Sequence, residues 1–290
     1  MTVEVLAGLS RPIIMGVLLG GLYALIALGL SIVFGVMKLI NVAHGDLMIF
    51  GAYFAYALMT TWGIDPILSL TMGIPLWFGL GFVIQKYVMS RAFGISMEAP
   101  LIIAFGISLI LQSLTQIIWS PYSRGLEAPY ALGGISLGIT SVPKTYLLSF
   151  IAALVVMLVL REFLRRSYLG KAIVAASQDR RGAELVGINT GRVYAFAFAI
   201  AMATAAIAGV FFGLTFPFTP TSGVGFLIIA FGVIIIGGLG SMLGTFIGGI
   251  VLGLTQTLSG YFLGAAAQML FVYLIVFVVL AVRPQGMFGR

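Results

Sequence analysis

FLIIAFGVIIIGGLGSMLGTFIGGIVLGLTQTL, residues 226–258, lies inside a run of ninety residues, 193–282, that holds no charged side chain. About twenty consecutive apolar residues cross a bilayer as a helix, so this run contains several passes. The whole chain of 290 residues is 61% hydrophobic and 8% charged. An ordinary soluble domain carries about 25% charge, so most of this surface must face lipid. Turn chemistry divides the run. Residues 215–225, TFPFTPTSGVG, with two Pro and two Gly, predict a loop; GGLGS at 237–241 predicts a second break and SGYFLG at 259–264 a third. That leaves a helix near 193–214, short pieces near 226–239 and 242–258, and a last helix near 262–282. The short pieces are two tight spans or a re-entrant pair. Non-helical backbone at membrane depth is tolerated only inside protein or beside a watery path.

Working outward, charge-free gaps at 12–37, 47–64, 66–85, 99–123 and 145–160 each predict one more span. The last is short, so Lys144 must snorkel or its helix must start in the interface. The apolar run after Arg11 is too long for a signal-peptide core and lacks a small-residue cleavage site, which predicts an uncleaved first span. Lys and Arg set orientation. Seven of the fifteen basic residues (Arg161, Arg165, Arg166, Lys171, Arg180, Arg181 and Arg192) fall in 161–192, so that loop is expected in the cytoplasm. Counting outward puts Lys38, Lys86, Arg91, Arg283 and the C-terminus on the same side. Asp65, Arg124, Glu127, Lys144 and the N-terminus fall outside. The net charge of +7 is a topology signal, and no nucleic-acid partner is expected.

The chain has 38 Gly and no Cys. It therefore forms no disulfide and no Cys-ligated metal site, and no metal site is expected. Gly240, Gly244 and Gly248 repeat every four residues, as do Gly16 and Gly20. Such faces let helix backbones approach closely, and internal packing is favoured over a subunit interface. Ionisable residues inside a membrane are costly and are kept for function. None falls at the centre of a predicted span, which argues against a proton relay, a voltage sensor or an intramembrane protease. The segment LINVAHGDLMIFGAY, 39–53, is the most polar one beside a span, and it holds His44, the only histidine. Asn41 can cap the second span, with Asp46 in its first turn where the positive helix end favours an anion. The functional alternative makes Asn41, His44 and Asp46 parts of a gate or of a partner contact.

No phosphate-binding loop is present, since Gly170-Lys171 lacks the upstream Gly of that motif. The cytoplasmic segment SYLGKAIVAASQDRRGAELVGINTGRVY, 167–194, predicts two short helices. The first covers Gly170 to Ser177. The second follows Asp179 as N-cap, runs through Glu184, Leu185 and Val186, and is stopped by Gly187. Basic charge alone would serve topology but does not explain this helix pair.

Four stretches carry a family likeness: GLYALIALGLSIVFGVMKLINVAHGDLMIFGAY at 21–53, ELVGINTGRVYAFAF at 184–198, IIIGGLGSMLGTFIGGIVLGL at 234–254, and VRPQGMFGR at 282–290. In them the sequence resembles the LivH-type permeases of branched-chain amino-acid ABC importers. The resemblance implies an all-α integral membrane protein, a single domain over 1–290 of about eight transmembrane helices with broken or re-entrant segments, in the manner of type II-like importers. It implies partners: a second permease of LivM type, two ABC ATPases that bind ATP and Mg, and an extracytoplasmic solute-binding protein. This chain itself would bind no cofactor and catalyse nothing. The 170–189 segment would be a divergent ATPase-coupling loop, with Ala175, Ala176 and Gly182 at its small positions and Asp179, Arg180, Arg181, Glu184, Gly187, Ile188 and Asn189 completing it. The glutamate usual before the Ala pair is replaced by Val174. The pieces around Gly45 and Gly240 would be corresponding broken elements. The expected function is alternating-access import of a small solute, foremost an amino acid, in the bacterial inner membrane. Urea, short amides or carboxylates are alternatives within the family, and a stand-alone secondary transporter is one outside it.

Overall fold

The computed structural model describes residues 2–92, 96, 98–136, 141–283 and 285–288, with the side chains of 2–7 left aside. Of the C-terminal stretch quoted above, residues 284, 289 and 290 lie outside the described residues. The elements are α1 (Thr2–Met37), α2 (His44–Trp62), α3 (Leu70–Ala92, with a π-helical segment at Ile84–Met89), α4 (Ala99–Trp119), a hairpin of β1 (Gly134–Ser136) and β2 (Ser141–Pro143), α5 (Lys144–Arg166), α6 (Tyr168–Gln178), α7 (Arg180–Leu185), α8 (Thr190–Thr215), α9 (Ser222–Gly237), α10 (Met242–Leu263) and α11 (Ala267–Val282). Among the described residues, six helices are long and apolar enough to cross a membrane: α1, α3, α4, α5, α8 and α10. The shorter apolar α9 and α11 complete the bundle together with α2.

A helix apolar on every side must be covered on every side. α1 meets that condition, and Leu22, Leu25, Ala27, Leu28 and Leu30 have no exposed surface. It runs through the centre, packed by α5, α8, α9 and α10. The outer helices turn large apolar side chains outward instead, including Ile102 and Ile117 on α4, Val159 on α5 and Phe277 on α11.

The glycine stripes explain how α10 is held. A Cβ on Gly244 would lie 2.0 Å from the Gly237 carbonyl oxygen of α9, and one on Gly248 2.4 Å from the Val233 carbonyl oxygen. Turned toward α1, a Cβ on Gly249 would lie 2.5 Å from the Gly20 carbonyl oxygen, and one on Gly253 2.3 Å from the Gly16 carbonyl oxygen. Gly240 meets Gly35 of α1 in the turn before α10, at φ +82°. Gly240, Gly244 and Gly248 therefore pack inside this chain.

Several boundaries depart from the sequence reading. α9 starts at Ser222, not 226, because the Ser222 hydroxyl accepts the Thr219 N–H at 2.9 Å and closes the turn before the helix. α10 continues through Ser259 and Gly260 to Leu263, and the break falls at Gly264 with φ +89°. Helical hydrogen bonding supported by α1 overrides the weak propensity of Gly260. α5 extends past its charge-free gap from Lys144 to Arg166, carrying Arg161 and Arg165 on its end. The short 226–258 question resolves into a 16-residue α9, about 24 Å long, and a full-length α10.

Relative sidedness agrees with the charge pattern. At one end the α6–α7 loop, the α9–α10 turn and the C-terminal tail come together, with the Met287 N–H donating to the Ile236 carbonyl at 2.9 Å. At the other end Tyr130 donates to Asp65 at 3.0 Å, and Arg124 pairs with Phe218 through two backbone hydrogen bonds.

Candidate functional site

The link between α1 and α2 turns back into the bundle. Lys38 takes φ 53°, and Asn41, Ala43 and His44 are buried. The His44 Nε2–H donates to the Ile26 carbonyl at 3.0 Å, since a carbonyl only accepts. Ile26 lies well inside the Gly8–Met37 span of α1, so α2 starts deep in the bundle and not at the membrane rim. Asp46 stands in the first turn of α2 as expected, but that turn is buried within the bundle and not at a surface where the chain leaves it. A window of charge-free residues marks the rim only when the chain leaves the membrane at the charge. Here the charge lies inside the protein, where irregular backbone is tolerated.

Asp46 reaches α4. One carboxyl oxygen accepts from the Ser108 hydroxyl and, at 3.2 Å, from the Gln112 amide. Ser108 is midway along α4. The other oxygen has no partner and lies where a Cβ on Gly223 would stand 2.4 Å away. The first turns of α2 and α9 thus meet backbone to backbone, since a Cβ on Gly45 would be 2.1 Å from the Gly223 carbonyl oxygen. Neither helix start is capped by a side chain. Two helix N-termini therefore converge on Asp46, the arrangement in which a macrodipole favours an acidic side chain. Asn41 does not cap α2; its side-chain oxygen accepts the Ala43 N–H at 3.2 Å and shapes the turn before the helix.

The three residues suggested by sequence do not converge on one point. His44 faces α1 and α8, where a Cβ on Gly29 would meet both its ring and Thr204, while Asp46 faces α4 and α9. Sequence reasoning missed Ser108, Gln112 and Gly223. The signal for the first two was present, since Ser108 and Gln112 are one helical turn apart, and Thr115 continues that polar face in a helix whose first nine residues are apolar. Asp46→Ala is expected to strip two donors of their acceptor and to loosen α4, at a cost of about 1–3 kcal/mol. A lowered thermal midpoint of the purified protein, non-additive with Ser108→Ala, is the expected reading. An unchanged midpoint would refute the tether.

The second candidate is the α6–α7 element. The Ser167 hydroxyl accepts the Gly170 N–H at 2.8 Å and caps α6. Gly170 has no side chain because a Cβ would stand 2.2 Å from the Phe163 carbonyl oxygen, and this lets α6 fold back on α5. Ala176 is buried and Ala175 half-buried on that side. Asp179 occupies the N-cap of α7 in extended conformation, but its side chain accepts no capping hydrogen bond, which corrects the sequence expectation. Gly187, at φ 84°, ends α7 with the Ile188 N–H reaching the Ala183 carbonyl at 3.0 Å, a left-handed stop that a Cβ would strain. Asn189 caps α8 through the Arg192 N–H at 3.0 Å.

Glu184 accepts from the Thr190 hydroxyl at 2.6 Å and from Arg180 at 3.1 Å, and these two donors hold its carboxyl below the usual range. Arg180 also lies over the Tyr194 ring at 5.8 Å. Arg181 is exposed and Gly182 packs against the Asp179 carboxyl. The tip of this rigid element is apolar: Leu185 is 88% exposed and Val186 76%. Among the described residues no group of three His, Cys, Asp or Glu could hold a metal ion.

A family model described as "Branched-chain amino acid transport system / permease component" matches residues 13–280. The high-affinity branched-chain amino acid transport system permease protein LivH of Escherichia coli is 33% identical over 95% of this chain and 94% of its own. Its counterpart BraD of Pseudomonas aeruginosa is 30% identical over 97% and 95%. A probable LivH from Methanocaldococcus jannaschii is 26% identical over 86% and 81%. Among solved structures, a chain of PsaBC from Streptococcus pneumoniae in complex with Fab matches with a TM-score of 0.54 and 12% identity over 98% of this chain and 97% of that one, a likeness of fold alone.

Proposed function

The chain belongs to the branched-chain amino acid transport permease family, and from that membership we propose that it carries a branched-chain or related amino acid across the bacterial inner membrane by alternating access. It is a multi-pass permease subunit of an ABC transporter. In the proposed assembly it pairs with a second, related permease. Two ATPase chains, which bind ATP and Mg, dock on the side of the α6–α7 element, and a solute-binding protein delivers cargo to the opposite face. The N-terminus is then outside and the C-terminus in the cytoplasm.

The observation that carries the ATPase contact is the α6–α7 element itself. It is a capped, glycine-stopped helix pair held between two spans, with Leu185 and Val186 bare in an otherwise charged loop. Bare apolar side chains at the tip of a rigid, water-facing element mark a protein contact. The sequence has no phosphate-binding loop, so the energy of hydrolysis must arrive through such a contact. Closure of the ATPases would push this element, and α5 and α8, which flank it, would transmit the motion to the bundle. A path fed by a binding protein needs little affinity of its own, which suits the apolar interior.

The test is purification of the chain from its native membrane with whatever accompanies it. Two ATPases and a second permease are expected, and amino-acid uptake in vesicles should require ATP. Recovery of the chain alone, moving solute without ATP, would overturn the reading.

A further inference from the structure

The end of α5 carries a feature that the ATPase contact proposed at Leu185 and Val186 does not account for. An open cleft of about 610 Å³ lies between α5, α6 and the start of α10. Its walls are apolar, with Leu164, Val174 and Met242 among them, and its rim carries Arg161, Arg165 and Lys171. Among the described residues none of these three cationic side chains has an ion pair or a side-chain hydrogen bond. The carboxylate nearest in sequence, Glu162, is engaged by Arg166.

Beyond the cleft, toward the middle of the span, α5 presents a bare apolar face. Ile151, Val155 and Leu158 are exposed at four- and three-residue spacing, and Val159 is exposed beside them. Arg161 and Arg165 follow three and seven residues after Leu158, on the same helix face. One face of a membrane-spanning helix thus runs from exposed aliphatic side chains to unpaired guanidinium groups. This order of chemistry, hydrocarbon first and cation at the rim, is that of a phospholipid with its acyl chains along the span and its phosphate at the interface. A soluble partner could cover the rim but could not follow the stripe into the membrane.

We propose that this cleft binds an anionic phospholipid, with Arg161, Arg165 and Lys171 holding the headgroup phosphate and the Ile151–Val155–Leu158 face receiving an acyl chain. Lys171 and Val174 lie on α6, so the bound lipid touches the element through which the ATPases are proposed to act. Assigning the site to the cytoplasmic leaflet rests on the orientation proposed above; affinity for the headgroup does not.

The test uses the assembled transporter in phosphatidylcholine nanodiscs with and without phosphatidylglycerol, followed by native mass spectrometry of the lipid that stays bound. The wild type is expected to retain phosphatidylglycerol, and the R161Q/R165Q/K171Q variant to retain it roughly a hundredfold more weakly, at about fivefold per lost cation. A K86Q/R91Q/R192Q variant removes the same charge elsewhere and should retain it as the wild type does. Equal retention in wild type and R161Q/R165Q/K171Q overturns the proposal. So does equal loss in both triple variants, which would mean diffuse attraction to the bilayer. Loss of a protein subunit from R161Q/R165Q/K171Q, with no lipid on the wild type, would assign the cleft to that subunit and overturn the lipid.

Discussion

Gly244→Leu is expected to abolish accumulation of folded protein, and Gly249→Leu to do the same. Over-packing a core with a flexible neighbour typically costs about 1–3 kcal/mol. Here the neighbour cannot yield. The first added atom at Gly244 would lie 2.0 Å from the Gly237 carbonyl oxygen and 2.8 Å from its carbon, both backbone atoms of α9. At Gly249 it would lie 2.5 Å from the Gly20 carbonyl oxygen and 2.7 Å from the Ala24 nitrogen, both backbone atoms of α1. Relief requires α10 to move away from one helix, and the opposite glycine face presses it against the other. Since lipid supplies no hydrophobic drive for helices to associate, close packing is what holds them, and separation removes it. Size-exclusion chromatography of detergent extracts should show loss of the monodisperse peak. Gly79→Ala is the matched control: nothing lies within 4 Å of its added Cβ, so the change gains helix propensity of up to about 1 kcal/mol. Wild-type yield of both leucine variants would refute the two-sided grip.

That grip also marks what a single sequence can and cannot convey here. The four-residue glycine repeat, the charge-free spans and the Gly187 stop are local signals, each set by residues within a turn or two of one another. They were legible because membrane burial and left-handed backbone conformation impose residue types directly. The place where α2 begins is set differently. Asp46 looks like a rim residue because it follows a polar stretch, and only its partners on α4, more than sixty residues onward, put it within the bundle. Charge tells where a chain is unlike lipid; it does not tell whether the unlike part faces water or another helix. For the same reason Asn41 and His44 were legible as unusual but not as separated in space. The α10 boundary failed in the opposite sense: Ser259 and Gly260 read as a break, yet α1 and Gln268 pack against that turn and keep it helical.

Leu185→Asp combined with Val186→Asp should leave the permease folded and stop transport. The two side chains are 88% and 76% exposed, so replacing them removes almost no contact within the chain. Their value lies in what covers them. Burying an aliphatic side chain of this size contributes about 1.5–3 kcal/mol, so two contribute roughly 3–6 kcal/mol, and two carboxylates placed in an apolar socket add a desolvation cost. A loss of that size is at least a hundredfold in affinity for an ATPase. The expected result is a normal elution profile, no co-purified ATPase and no ATP-dependent uptake. Leu185→Met with Val186→Ile should restore both, because it keeps the apolar volume. The comparison separates contact from shape: Glu184→Ala perturbs the fold of the same element through Thr190 and Arg180 while leaving its apolar tip in place. If the double aspartate variant co-purifies with ATPases and transports as the wild type does, the tip is not the contact, and force must enter through another part of this face.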